Sequence, residues 1–166
     1  MMVKRVAGAL GAELPAVNLV DGLDAELAGT LRALINEHEV LFLRDQNIEP
    51  AVQKALAEIF GPLQTHPAYN TVEGLPEVMI LESTRENPSK IEVWHSDMTF
   101  RQHPPSVTVL RGITIPEVGG DTLFASMTAA YDGLSLGMQR YLDGLIAVHD
   151  FSHGFKESLA EHGGRE

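Results

Sequence analysis

The chain of 166 residues suits one globular domain, and its 44% hydrophobic and 21% charged content excludes a disordered or collagen-like polymer. Its 23 acidic residues against 12 basic ones leave a formal charge of -11, which repels phosphate backbones and anionic lipid, so neither nucleic acid nor a membrane surface is expected as a partner. The sequence has no cysteine, which excludes disulfides, thiolate metal sites and a cysteine nucleophile; any metal must sit on His and carboxylate.

In chain order, Met1, Met2, Val3, Lys4, Arg5 and Val6 open the sequence without the apolar core of a signal peptide, since Gly8, Gly11, Glu13 and Pro15 break up the next ten residues. No stretch reaches the ~20 apolar residues of a spanning helix, and the cytoplasm is the default compartment. Residues 24–39 place Leu27, Leu31, Leu34 and Ile35 at helical spacing, with Asp24 positioned to cap the first turn. The apolar run Val40, Leu41, Phe42, Leu43 predicts a buried strand. Pro50 suits the first turn of a second helix, whose apolar face is Leu56, Ile59 and Phe60, and Gly61 and Pro62 stop it.

Beyond Gly61 the pattern turns to strands and loops. Val78 to Leu81 is a strand candidate, and 83–90 a polar loop. Residues 106–115 alternate with period two and predict a long strand; the Gly119, Gly120 pair then turns the chain into another over 121–125. Two short helices are expected over 128–134 and 135–145, and a further strand over 146–148. Helices packed on a sheet of non-local strands is the class these elements imply, in a single domain over 1–166.

Chemistry concentrates in Val93, Trp94, His95, Ser96, Asp97, Met98, Thr99 and Phe100. Residues two apart in an extended chain face the same way, so His95 and Asp97 aim an imidazole and a carboxylate at one point. One neutral nitrogen and one anionic oxygen are two thirds of the two-His-one-carboxylate set of non-haem Fe(II) oxygenases. A His-x-Asp triplet arises often by chance and is most often a solvated pair. Its surroundings, however, carry a resemblance. Together with His103, Pro104 and Pro105, the segment is similar to the metal-binding segment of the taurine dioxygenase family, Fe(II)- and 2-oxoglutarate-dependent enzymes that include the 2,4-dichlorophenoxyacetate and alkylsulfate dioxygenases. Further blocks agree in order and spacing: 40–46, 60–63, His66 with Pro67, 119–123, 129–131 and 149–151.

The resemblance implies a double-stranded β-helix, or jelly roll, mainly β with flanking helices (α+β) and incomplete at its C-terminal end. It makes His95 and Asp97 catalytic iron ligands and Thr122 a hydrogen-bond donor to 2-oxoglutarate. It puts His66, Tyr69, Ile91, Met98 and Phe155 on the substrate side. Ile91 stands where taurine dioxygenases carry an Asn that helps bind the substrate amine. The third ligand, a His, and the Arg that grips 2-oxoglutarate are expected beyond Glu166. His149, His153 and His162 are weak local substitutes. By themselves these residues read more plainly: a Thr on a strand, a His exposed before a Pro, aromatic packing. The implied activity is hydroxylation of a small anionic substrate, a sulfonate such as taurine, with O2 consumed and sulfite, aldehyde, succinate and CO2 formed. The chain alone is expected to be inactive. Against it stand a non-catalytic jelly-roll protein that binds a metal or anion, and an alkylsulfate or phenoxyalkanoate dioxygenase. Self-association into a homo-oligomer is left open.

Overall fold

The computed structural model describes residues 1–66, 69–86, 88 and 93–151. They fall into two compact units, Met1–Val52 with Leu110–Ile146, and Gln53–Val109 with the segment from Ala147 onward.

The first unit is built on a small three-stranded sheet in the order β1 (Lys4–Arg5), β2 (Ala12–Glu13), β3 (Leu41–Phe42). β1 and β2 pair antiparallel; β2 and β3 pair parallel, Ala12 opposite Leu41 and Glu13 opposite Phe42. A parallel pair needs a crossover, and α1 (Ala25–His38) supplies it. α1 starts where the sequence predicts, with the Asp24 carboxylate accepting from the Leu27 amide at 2.8 Å. It ends at Glu39, whose left-handed backbone, φ 61°, breaks the helix. Its inner face buries Ala28 and Leu31 with Leu14, Leu19 and Ala12, and full burial of a leucine such as Leu31 contributes about 1.5–3 kcal/mol. Gln46 locks the chain after β3: its side-chain amide donates to the Val17 and Arg44 carbonyls and accepts from the Leu19 amide. Two short helices complete this unit, α3 (Met127–Asp132) and α4 (Leu136–Leu142), each capped by the serine before it, Ser126 and Ser135. Buried Ser126 also donates to Glu39 at 2.9 Å, joining the end of α1 to the start of α3.

The second unit contains most of α2 (Pro50–Glu58) and the hairpin of β4 (Thr71–Val72) and β5 (Leu75–Met79). Only two residues connect the two strands, and Gly74 takes the left-handed conformation, φ 75°, that so tight a turn requires. Lys54 on α2 reaches Glu77 on β5 at 3.2 Å, with both side chains about three-quarters buried. A main-chain hydrogen bond, and after it the contact with Lys54, lower the pKa of the Glu77 carboxyl. The segment after Asp97 is tied down by side chains: Gln53 donates to the Val109 carbonyl, Gln64 to His103, Arg101 to Thr65, and the Ser106 hydroxyl to Phe60.

The helices agree with expectation to within a few residues, as does the position of the strand before α2, although Leu41 and Phe42 are half-buried where a buried strand was expected, and the Val78 strand begins three residues earlier than expected. The strands expected over 106–115, 121–125 and 146–148 do not form among the described residues, where helix exceeds strand. Alternating side chains mark a sequence able to enter a sheet, but a strand exists only when a second chain segment pairs with it. Here none does, and Ile113 and Ile115 stand 79% and 71% exposed. The small sheets and flanking helices make the observed fold mixed α/β. No described helix is long and apolar enough to cross a membrane.

Candidate metal centre and its neighbours

His95 and Asp97 converge as their spacing predicts, with Nε2 of the imidazole 3.3 Å from Oδ1 of the carboxylate. The other ring nitrogen, Nδ1, lies 2.9 Å from the Val93 carbonyl oxygen. That oxygen can only accept, so a neutral ring bonded to it through Nδ1 would present its Nε2 lone pair towards Asp97. In that tautomer two acceptor atoms would face each other, an arrangement that a cation between them reconciles. Ligands at right angles on a metal with bonds of about 2.1 Å sit about 3 Å apart, close to the separation found. The remaining carboxylate oxygen, Oδ2, accepts a hydrogen bond from the Thr108 hydroxyl at 2.7 Å. Both ligand side chains are about half exposed, so a metal ion can enter. The donor set therefore fits a divalent metal as two of its ligands. Among the described residues no third His or carboxylate joins them.

Immediately after Asp97 the chain reverses. Met98 is left-handed, φ 52°, a conformation that costs a non-glycine residue about 1–2 kcal/mol, and the Arg101 amide closes the turn onto its carbonyl at 3.0 Å. The Arg101 side chain then reaches the Thr65 carbonyl and anchors the turn next to His66. His66 is only 7% exposed, held among rings: Tyr69 at 4.8 Å between centroids, Phe151 at 5.7 Å and Phe100 at 6.2 Å. Burial pushes its pKa below the usual 6.5, Arg101 pushes the same way, and Asp97 partly opposes them. Burial, reinforced by Asp97, raises the Tyr69 phenol above its ordinary value. The field of the candidate metal ligand thus reaches both residues assigned to the substrate side.

The structure gathers His66, Tyr69, His95, Asp97 and half-buried Met98 in one compact unit. Thr122 belongs to the other, exposed and just past Gly119 and Gly120, which are both left-handed as the turn there demands. Ile91 and Phe155 lie outside the described residues, as do His153 and His162. His66 departs from the plain expectation of an exposed loop His, because Phe100 and Phe151 cover it. Three neighbours escaped the sequence reading as site residues: Thr108, Arg101 and Phe151. Phe151 stood in a matched block, but nothing local distinguishes Thr108 from any other Thr in an alternating run.

A His nitrogen and an Asp oxygen aimed at one point match two of the three ligands of a facial-triad metal centre. The chain belongs to the taurine catabolism dioxygenase TauD, TfdA family, whose model matches residues 3–166. It is 31% identical over 156 residues to an alkylsulfatase of Acinetobacter baylyi, covering 93% of this chain and 49% of that protein. It is 32% identical over 154 residues to an alpha-ketoglutarate-dependent sulfate ester dioxygenase of Pseudomonas putida, covering 92% and 50%. The crystal structure of a taurine dioxygenase from Burkholderia xenovorans superimposes with a TM-score of 0.78 at 36% identity, over 90% of this chain and 53% of that one. The chain thus spans about half the length of the relatives it matches.

Proposed function

We propose that the protein is an Fe(II)- and 2-oxoglutarate-dependent dioxygenase acting on a small sulfonate or sulfate ester, and that residues 1–166 are the amino-terminal part of a single jelly-roll catalytic domain. The observation that carries this reading is the convergence of His95 Nε2 and Asp97 Oδ1 at 3.3 Å, with the other ring nitrogen 2.9 Å from the Val93 carbonyl oxygen. Fe(II) held there would, with 2-oxoglutarate and O2, supply oxidative decarboxylation to succinate and CO2 coupled to hydroxylation of a substrate C–H bond. The residues of the chain hold and orient. Asp97 brings the anionic oxygen that offsets part of the metal charge, and His95 brings the neutral nitrogen.

His66 is kept neutral by its burial, so it meets a substrate oxyanion as a hydrogen-bonding group instead of a cation, and the rings around it exclude water. Thr122 is assigned a hydrogen bond to the distal carboxylate of 2-oxoglutarate. The sulfate ester relative supports a sulfur oxyanion on the substrate, and Ile91 favours an alkyl group over an amine beside it. The cytoplasm is the compartment of this proposal. The intact protein, supplied with Fe(II) and 2-oxoglutarate, is assayed for succinate with taurine, alkylsulfonates, alkyl sulfates and phenoxyacetates. Succinate formation that requires the metal and a sulfonate or sulfate ester is expected, and Ile91→Asn should shift preference towards taurine. A folded, metal-loaded protein that forms no succinate with any of them is a non-catalytic binding protein, and turnover of phenoxyacetates alone would move the substrate class.

A further inference from the structure

The Thr108 hydroxyl is the neighbour of the metal pair that no expectation about the site had named. It lies eleven positions past Asp97 and donates to Oδ2 at 2.7 Å, a well-formed hydroxyl-to-carboxylate bond. Oδ1, the other oxygen of the same carboxylate, is the one directed at His95 Nε2. The two oxygens are therefore divided between two tasks. We propose that Thr108 is a positioning residue that holds Asp97 as a one-oxygen metal ligand and keeps its second oxygen off the metal.

This inference rests on the metal-binding reading of His95 and Asp97. A carboxylate free to rotate can close both oxygens on a metal, and that would fill one of the positions a facial set must leave open for co-substrate and O2. A hydroxyl fixed on Oδ2 prevents this at no cost in charge and also limits rotation of the carboxylate before the metal arrives. Thr108 is itself held in place from nearby: Ser106 donates to the Phe60 carbonyl and Gln53 donates to the Val109 carbonyl. Both Thr108 and Asp97 are exposed, so the bond contributes little to folding and its purpose is sought at the metal.

Three variants of the intact protein test this: Thr108→Val, which keeps shape and loses the hydroxyl, Thr108→Ser, which keeps the hydroxyl, and Asp97→Ala. The probe is Mn(II), titrated by calorimetry, with Co(II) absorption as a readout of coordination number and metal-free thermal unfolding as the control. Thr108→Val should bind Mn(II) about tenfold more weakly, the usual effect of removing a partner behind a ligand, and should change the Co(II) spectrum; Thr108→Ser should restore both. All should unfold within a few degrees of the wild type. Wild-type affinity and spectrum in Thr108→Val, beside loss in Asp97→Ala, would overturn the role of Thr108 and leave the metal site standing. Equal losses in Val and Ser variants would also overturn it, since the hydroxyl would then be irrelevant. Unchanged binding in Asp97→Ala would instead remove the metal site itself.

Discussion

Asp97→Ala separates a metal ligand from a surface ion pair, because the two roles carry very different magnitudes. On the stability side the side chain is 47% exposed, its contact with His95 is open to solvent, and its one hydrogen bond, from Thr108, lies on the surface. Interactions of that kind contribute about 0.5–1 kcal/mol, which lowers Tm by about 1–4 °C in a chain of this size. Truncation also leaves no buried donor unpaired, since the Thr108 hydroxyl can turn to water. On the metal side the substitution deletes an anionic ligand, a larger loss than the tenfold to hundredfold typical of groups that merely support a ligand. The expected outcome is therefore a folded variant that binds Mn(II) at least about 100-fold more weakly and forms no succinate. Calorimetric titration, succinate release and thermal unfolding are measured on the same preparation. A variant with unchanged Mn(II) affinity, or one whose losses track a collapse in Tm of ten degrees or more, would refute the reasoning.

His66 should make stability pH-dependent. Its folded pKa lies below 6.5, so the unfolded chain takes up a proton first; the contribution is full above about pH 6.5 and is lost as pH falls from there through the folded value. His66→Gln should flatten that part of the urea-midpoint profile, and an identical profile would remove the buried neutral His. Ser126→Ala deletes both the cap on the Ala129 amide and the bond to Glu39, and should cost about 1–2 kcal/mol by urea unfolding, with Ser126→Asp failing to recover it because a second carboxylate would meet Glu39. Thr122→Val should raise KM for 2-oxoglutarate about threefold to tenfold, as loss of one hydrogen bond implies, with kcat little changed; an unchanged KM would take Thr122 out of the site.

Legibility in the sequence tracks the range of the interactions. α1 and α2 were legible because their signals are local: Asp24 ahead of a one-sided run, Pro50 in a first turn, Gly61 after the last. The convergence of His95 and Asp97 was legible for the same reason, since both residues lie in one short segment. The strands beyond Ser106 were over-read because alternation reports side chains, whereas a ladder depends on a partner the pattern does not contain. The burial of His66 was out of reach, since two of the three rings around it come from positions 100 and 151, and the Thr108 contact depends on how the chain folds back after the turn at Met98. Family resemblance singled out His66 for the substrate side; its aromatic enclosure is visible only in three dimensions.

The tethers on residues 101–109 have a consequence for how this region tolerates sequence change. A sheet ladder is made by the main chain and survives almost any substitution on its outer face. Within 93–109, among the described residues, the only main-chain pairing is the Arg101 turn; the rest of the run is fastened by the side chains of Gln53, Gln64, Arg101 and Ser106. Each fastening is written in the identity of one residue and vanishes when that residue is exchanged. Random mutagenesis scored by metal retention should therefore find these four positions, none of them a proposed ligand, less tolerant than neighbouring exposed positions such as Gln102, which accept most replacements.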